Sequence, residues 1–321
     1  MDKIQHIINQ FDPITLDEMN GVSLLNRVDT KYMLSIPQLG QILSRVSNQY
    51  RVLDIRNVRM QNYKTVYFDT RDLMLYQQHH NGKRNRHKVR IRKYVDSDLC
   101  FLEIKFKNNQ GRTIKNRVRI PDFTTSLSDA LDGLGPSDSL IDTDNLPTGN
   151  EFMQSHFPHD VTALKPQVTN QFMRITLVSK KNVERLTLDL GIRFCRNTSD
   201  NASATTQNRF YADFPVDGNS QYNTIDNSHN HHQRNRPSQG NRQSQGNRQT
   251  EVCLTGLALA EVKQARFSTK SDFIQQMRLQ RLNVVPVGFS KYCVGVALTQ
   301  QNVKHNRFKP ILRRAHQLTW Q

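Results

Sequence analysis

Charged residues occupy every second position in three short segments of the sequence. The segments are Arg90-Ile91-Arg92, Glu103-Ile104-Lys105-Phe106-Lys107 and Glu261-Val262-Lys263. In an extended strand successive side chains point to opposite faces, so each segment would have one charged face and one apolar face. The mostly cationic charged face suits a wet, anion-filled space. These residues are therefore candidates for an active site that binds anions.

A charged face of this composition requires an enclosure. The polar face of an ordinary soluble sheet mixes Thr, Ser, Lys and Glu and looks at water. Here the apolar face would pack against covering helices, and the charged face would then line an internal space, as in a closed β-barrel. We therefore expect an α+β protein in which a barrel with a charged lumen is flanked by helices.

The composition favours a polyanionic partner and an intracellular setting. Of 321 residues, 45 are Lys or Arg and 28 are Asp or Glu, a net charge of +17. Nucleic acid, an anionic membrane or phosphate chains would match this charge. The four cysteines are far apart without a CxxC pair, which favours buried thiols in a reducing compartment. No apolar run approaches the ~18 residues of a spanning helix, so we expect a cytoplasmic protein without a membrane span.

Apolar spacing and turn signals divide the chain into elements. Residues 2–47 are predicted to be mainly helical around a strand at 27–34, with Pro37 in a first helical turn. Further strands are expected within 51–69, near 86–95 and 99–107, through Val118 and Ile120, and at 168–178, 184–194, 208–214 and 251–263. Helices are expected at 73–76, 127–134 and 271–281. The chain from Val284 to Tyr292 is expected to lead back to the core.

Residues 217–250 differ from the rest in composition, being rich in Asn, Gln, Ser, Gly and His. Such a segment buries too little apolar surface to offset the entropy of ordering, so we predict a disordered insertion. Its His229, His231 and His232 would suit a transition metal, although flexible His-rich loops often have no specific role. The predicted organisation is one domain over 1–300, interrupted by this insertion, and a basic tail over 301–321.

Eight motifs, in order from about residue 20 to 295, carry a family resemblance. They are Arg27-Val28-Asp29-Thr30-Lys31-Tyr32, Tyr67-Phe68-Asp69-Thr70, Leu75-Tyr76, the segment 85–94, Phe101-Leu102-Glu103-Ile104-Lys105, Arg185-Leu186-Thr187-Leu188-Asp189, Glu261-Val262-Lys263 and Phe289-Ser290-Lys291-Tyr292. This series resembles the VTC domain of the triphosphate tunnel metalloenzymes, which are relatives of the CYTH proteins. The resemblance implies an antiparallel eight-stranded β tunnel.

The resemblance also implies an activity and a set of residues. VTC domains resemble polyphosphate polymerases, which move the terminal phosphate of ATP onto a growing chain with a divalent metal, usually manganese, with magnesium as the alternative. The implied catalytic residues are Arg90, Arg92, Lys105, Arg174, Lys263 and Lys291. The implied substrate-binding residues are Lys31, His79, Glu103, Lys107 and Asp189, and the implied metal ligand is Glu261. His79 and Gly288 depart from the pattern, since eukaryotic members carry an arginine and a lysine there.

Three functions remain open on the sequence. The expected one is an ATP-dependent polyphosphate polymerase, and the second is a triphosphate or polyphosphate hydrolase on the same fold, with water as the acceptor. The third is a non-catalytic binder of RNA or polyphosphate. Nucleic acid is the less expected partner, because nucleic-acid modules interleave exposed aromatics with basic residues. Oligomeric state is left open, as is a partner protein that spans the membrane.

Overall fold

One mainly antiparallel sheet of eleven strands carries the charged segments. The computed structural model describes residues 1–20, 27–132, 149–197 and 251–319. The strands are β1 (Asp12–Ile14), β2 (Val28–Ser35), β3 (Tyr50–Leu53), β4 (Gln61–Asp69), β5 (Arg86–Tyr94), β6 (Leu99–Lys107), β7 (Thr113–Ile120), β8 (Lys165–Ser179), β9 (Glu184–Arg196), β10 (Glu251–Leu254) and β11 (Leu257–Gln264). Eight of them form a continuous path in the order β2-β11-β9-β8-β4-β5-β6-β7. Each neighbouring pair on this path is antiparallel.

Helices flank the sheet, and most of them cover the side away from the charged residues. The helices of the described ranges are α1 (Asp2–Ile8), α2 (Leu16–Asn20), α3 (Ile36–Val46), α4 (Met74–His80), α5 (Leu127–Asp132), α6 (Gly149–His156), α7 (Asp272–Leu279), α8 (Lys291–Thr299) and α9 (Lys309–Thr319). The start of α3 is fixed by Ser35 and Gln38, whose side chains cap each other's backbone N–H groups. None of these helices is both long and apolar enough to cross a membrane.

The two faces of the sheet differ in chemistry, as the alternation predicts. On the outer face, α1, α3 and α7 bury an apolar cluster against β2, β8, β9 and β11, including Ile8, Leu43, Leu188 and Phe273. A second outer cluster packs α5 and α6 against β4, β5, β6 and β7. Burial of a Leu, Ile or Phe side chain contributes roughly 1.5–3 kcal/mol. The outer layers therefore supply much of the hydrophobic stabilisation, and part of the other face is left for charged groups.

The sheet curls, so that strands far apart on its path contact the same short segment of chain. Lys31 on β2 donates to the carbonyl oxygen of Phe289 at 2.9 Å. Lys88 lies on β5, which is separated from β2 by four strands along the path, and it donates to the hydroxyl of Ser290 at 3.0 Å. The two lysines thus contact adjacent residues, Phe289 and Ser290, although their strands are far apart on the path. The charged face of the sheet must therefore be concave.

The predicted fold class is confirmed: this is an α+β protein with a mainly antiparallel sheet flanked by helices, and eight of its eleven strands form the continuous path. In the ranges described, no backbone hydrogen bonds join the end strands β2 and β7 to each other. The segment before α8 instead links two sides of the curled sheet, through Lys31 on β2 and Lys88 on β5.

The buried helix α8 fills part of the concave side. It packs against β8 and β9 together with Tyr67, Phe194 and Phe308. Ser290 caps its start by accepting a hydrogen bond from the N–H of Cys293 at 3.3 Å. Sequence periodicity does not identify this helix, because it is apolar on nearly every side and is buried accordingly.

Most other predicted elements are present. The strand expected at 251–263 is wrong in one respect, since a turn after Leu254 divides it into β10 and β11. The expected strand at 208–214 and the insertion at 217–250 lie outside the described residues. The basic tail from 301 contains a short 3-10 turn (Asn306–Phe308) and α9, which buries Ala315 and Leu318. The four cysteines are free thiols.

Two glycine substitutions test the packing of α8 against that of α3. An added Cβ at Gly295 would lie 2.7 Å from Phe194 Cδ1 and 2.8 Å from Val168 Cγ1. We therefore expect Gly295→Ala to lower the free energy of unfolding by about 1–3 kcal/mol, as overpacking does. At Gly40 in α3 the nearest atom, Ile4 Cδ1, is 3.5 Å away. Gly40→Ala should be neutral or gain up to about 1 kcal/mol from helix propensity.

Urea unfolding of both variants beside the wild type measures these changes. Equal destabilisation by the two substitutions would contradict the described packing of α8 inside the curled sheet.

Candidate functional site

Strand register brings most of the predicted residues onto the concave face. Arg90 lies opposite Glu103, Arg174 opposite Asp189, and Glu261 opposite Lys31. Lys105 lies between Lys88 and Lys115 on its two neighbours. Lys263 and Lys291 join the same face through contacts with Glu261 and Asp189. The site is therefore a ring of cations interrupted by three carboxylates.

The wall formed by β5, β6 and β7 contains a fully buried carboxylate with two partners. Arg90 Nε donates to Glu103 Oε2 at 2.6 Å, and Lys115 Nζ lies 2.5 Å from Glu103 Oε1. Burial would raise the pKa of Glu103, but Arg90, Arg92 and Lys115 hold it well below the usual range. Glu103 is thus an ionised group that orients Arg90.

Two cations beside this carboxylate have no ion-pair partner among the described residues. Arg92, only 7% exposed, makes a hydrogen bond of 3.2 Å from Nε to the hydroxyl of Thr65. The pKa of Lys105 is lowered well below its usual value, first by the charge of Arg90 and then by burial. Since buried charge without a counterion is costly, these two groups are complementary to a bound anion.

On the opposite wall, Asp189 binds an arginine and a lysine at once. Arg174 makes a bidentate contact, with Nε 2.6 Å from Oδ1 and Nη2 2.8 Å from Oδ2. Lys291 Nζ contacts the same Oδ2. Burial opposes ionisation, but Arg174 and Lys291 keep the pKa of Asp189 below its normal value. The carboxylate therefore fixes the positions of two cations.

Glu261 links the third group of cations. It forms an ion pair with Lys263, and its Oε1 lies 3.6 Å from Lys31 Nζ. Lys263 also donates to the Thr187 hydroxyl at 2.9 Å. Despite burial, Lys263 and Lys31 hold the pKa of Glu261 well below its usual range. Glu261 is consequently an anionic oxygen ligand within reach of the cationic ring.

An aromatic pair lies beneath three of the cations. The rings of Tyr63 and Phe172 are stacked 5.1 Å apart with an interplanar angle of 9°. Arg174 Cζ lies 5.1 Å from the Tyr63 centroid and 5.2 Å from that of Phe172. Arg92 Cζ lies 5.6 and 5.9 Å from the same two centroids, and Lys291 Nζ lies 4.2 Å from Phe172. The ring faces stabilise these charges without occupying their hydrogen-bond donors.

His79 and Lys107 lie toward one end of the concave face. The pKa of His79 is lowered to about 2. Burial is the largest cause, followed by the positive charges of Lys88, Arg86 and Lys107. His79 is thus neutral at ordinary pH and does not replace the positive charge of an arginine. Lys107 lies opposite Arg86 on the neighbouring strand. A Cβ added at Gly288 would meet no heavy atom within 4 Å, so a larger side chain has room there.

Sequence reasoning missed Lys88, Lys115 and the aromatic pair. Lys88 continues the alternation of Arg90 and Arg92 by one more step, and Lys115 begins a similar alternation on β7. Both were therefore accessible from the spacing of charged residues. Tyr63 and Phe172 were not, because only their pairing across β4 and β8 brings the rings together.

The donor set limits how a metal ion is held. Within the described ranges, no group of three or more His, Cys, Asp or Glu side chains is arranged to hold a metal. Glu261 alone suits a hard divalent cation that takes its other ligands from water and from substrate phosphates. The residues therefore fit a metal that binds together with a phosphorylated substrate.

Comparisons with known proteins agree with a family assignment. A model of the VTC domain matches residues 26–300. A candidate adenylyl cyclase from Hippeastrum with a dominant triphosphatase activity is similar at 10% identity, over 87% of this chain and 99% of that chain, with a TM-score of 0.42. A candidate adenylate cyclase from Bacillus halodurans is similar at 17% identity, over 62% and 95%, with a TM-score of 0.33. No curated protein matches the sequence.

Substitution of Phe172 tests whether the aromatic pair supports anion binding. We expect Phe172→Leu to weaken the binding of tripolyphosphate roughly tenfold, because a desolvated cation–π contact contributes about 1–2 kcal/mol. Phe172→Tyr keeps the ring and should retain most of the affinity. Titration calorimetry measures both.

The matched control is Phe194→Leu, which alters a buried ring that packs on α8. It should reduce stability and leave the affinity for tripolyphosphate close to that of the wild type. Similar affinities for the Leu and Tyr variants at position 172 would refute the supporting role of the ring.

Proposed function

The chain belongs to the VTC domain family, and on this basis we propose that it is a polyphosphate polymerase that transfers the γ-phosphate of ATP to a growing polyphosphate chain. The observation that carries this proposal is the surplus of cations on the concave face. Arg92 and Lys105 have no carboxylate partner in the described ranges, although both lie beside Arg90. A row of phosphates supplies the missing negative charge.

The residues would act mainly by positioning and by stabilising charge. Phosphoryl transfer passes through a loose transition state in which the protein contributes little covalent chemistry. Arg90 and Arg92, two residues apart on β5, would bind neighbouring phosphate oxygens on one wall. Arg174, oriented by Asp189, and Lys291 would bind the same chain from the other wall. Donor and acceptor phosphates would then be held in line, so less motion is needed to reach the transition state.

Glu261 would hold a divalent metal, and we propose manganese, with magnesium as the alternative. When bound, the metal would neutralise charge on the phosphates and polarise their oxygens. Lys263 and Lys31 keep the Glu261 carboxylate ionised, which this role requires. Lys263 is itself held by Thr187, so the carboxylate has a fixed neighbour.

The expected substrates follow from the same groups. ATP and polyphosphate both present consecutive phosphates, which suit the cations of the concave face. Among the described residues of that face there is no exposed row of aromatics of the kind on which nucleic-acid bases stack. The free cysteines support a reducing, cytoplasmic compartment.

A product assay distinguishes polymerase from hydrolase. With ATP and manganese, the purified protein should form a ladder of polyphosphate chains on a gel, and a chelator should stop their formation. Arg92→Ala should reduce the rate at least tenfold, because removal of one preorganised charge typically costs about 10²–10³ in rate. Arg112→Ala, in the exposed turn between β6 and β7, is the matched control and should retain full activity.

If the assay yielded free phosphate and no longer chains, the protein would be a hydrolase and the polymerase proposal would be wrong. No turnover, together with tight binding of polyphosphate, would favour the non-catalytic binder.

Binding of phosphates should weaken at alkaline pH. Burial lowers the pKa of Lys88 and that of Lys291 to about 8. Both lysines lose their charge above this value, so the affinity for tripolyphosphate should fall between about pH 7 and about pH 9.5. Bound phosphate raises the pKa of both lysines, so the fall should begin at a higher pH than in the free protein. The ligand-free protein should respond in the opposite direction. Above about pH 8 the unfolded state holds more protons on these lysines than the folded state, so stability should rise.

Calorimetric titrations across this pH range measure the first effect, and urea unfolding measures the second. Lys88→Gln should flatten both curves in part. A wild-type affinity that stays constant over the range would show that neither lysine contributes to phosphate binding.

A further inference from the structure

A second group of basic residues lies outside the concave face, next to one of its ends. Lys83 and Arg84 are exposed in the turn between α4 and β5, and Lys304 and Arg307 are exposed in the segment before α9. We call these four residues the exterior basic patch. None of them forms an ion pair with a described carboxylate, so their charge is available to a partner.

Contacts between the two segments bring the patch together. The guanidinium of Arg307 lies over Gly82, where an added Cβ would be 2.3 Å from Arg307 Nη1. The hydroxyl of Tyr76 on α4 donates to the carbonyl oxygen of Lys304 at 3.0 Å. The rings of Tyr76 and Phe308 lie 5.8 Å apart. Arg307 is therefore held against the turn that carries Lys83 and Arg84.

The patch continues into the concave face through Arg86. Arg86 Nη1 donates to the carbonyl oxygen of Lys83 at 2.7 Å. Arg86 lies opposite Lys107 in the register and two residues from Lys88, which in turn contacts Ser290. A sequence of cations thus runs from the exposed turn to Arg90 without an intervening acidic residue.

The sequence maintains this one-sided charge. Residues 73–95 contain seven Lys or Arg and no Asp or Glu, and residues 273–321 contain eight and none. A solvated surface with no ligand usually mixes both signs of charge. Two segments that lack carboxylates altogether, and that meet at one end of a phosphate-binding face, indicate a continuous anionic ligand.

We propose that the exterior basic patch binds the part of a polyphosphate chain that extends beyond the concave face. This inference rests on the proposed function, because the chain must occupy the inner site as well. It predicts that affinity depends on chain length, since only a long chain reaches both groups of cations. It also predicts a steeper salt dependence for long chains, as each phosphate contact releases counterions.

The test compares tripolyphosphate with long-chain polyphosphate as probes of the complete protein. Lys83→Gln with Arg307→Gln should weaken long-chain binding roughly three- to tenfold, because each exposed ion pair with a phosphate contributes only modestly to affinity. It should also lower the salt slope and leave tripolyphosphate affinity unchanged. The matched control is Arg278→Gln with Arg281→Gln, which removes the same charge from exposed positions on and just after α7.

Equal weakening by the two double variants would overturn the proposal, because net charge alone would then explain the binding. The proposal would also fail if the wild-type protein bound tripolyphosphate and long-chain polyphosphate with equal affinity. The inner site and the proposed function would stand in that case. If neither probe bound, the proposed function would fail as well. If the patch variant lost binding to anionic phospholipid vesicles but kept its long-chain affinity, the partner would be a membrane surface.

Discussion

The structure depends on enclosing more positive charge than its own carboxylates neutralise. Glu103, Asp189 and Glu261 each bind two cations, and Arg92 and Lys105 remain without such a partner in the described ranges. Each carboxylate lies against its cations closely enough to stay ionised despite burial. Loss of one carboxylate would leave two like charges together, so the three act as structural groups even without a ligand.

The surplus is tolerated because stabilisation comes from elsewhere. The outer face of the sheet carries apolar residues, and it is covered by α1, α3 and α7 in one part and by α5 and α6 in another. Tyr63 and Phe172 add a second form of charge stabilisation, since ring faces attract a cation and leave its N–H donors free. An arginine held by a ring remains available to phosphate, whereas one saturated by carboxylates does not.

Alternation of charge in three segments was sufficient to predict the charged faces of β5, β6 and β11. Other residues of the predicted site, such as Arg174 and Lys291, came only from the family resemblance. The alternation did not predict which strands are neighbours, and therefore missed the pairing of Tyr63 with Phe172 across β4 and β8. The helix α8 was missed for another reason: its residues are apolar on nearly all sides, so they lack the period that identifies a helix at a surface. Lys88 was accessible, because it continues the spacing of Arg90 and Arg92.

The segment Phe289–Lys291 couples the curvature of the sheet to the geometry of the candidate site. Lys31 binds its first residue, Lys88 its second, and Asp189 its third, so it joins β2, β5 and β9. No two of these three strands are neighbours in the sheet. A shift of this segment would move cations on three walls together. Because the end strands β2 and β7 are not hydrogen-bonded to each other in the ranges described, this segment, more than backbone pairing, sets the distance across which a row of phosphates would be held.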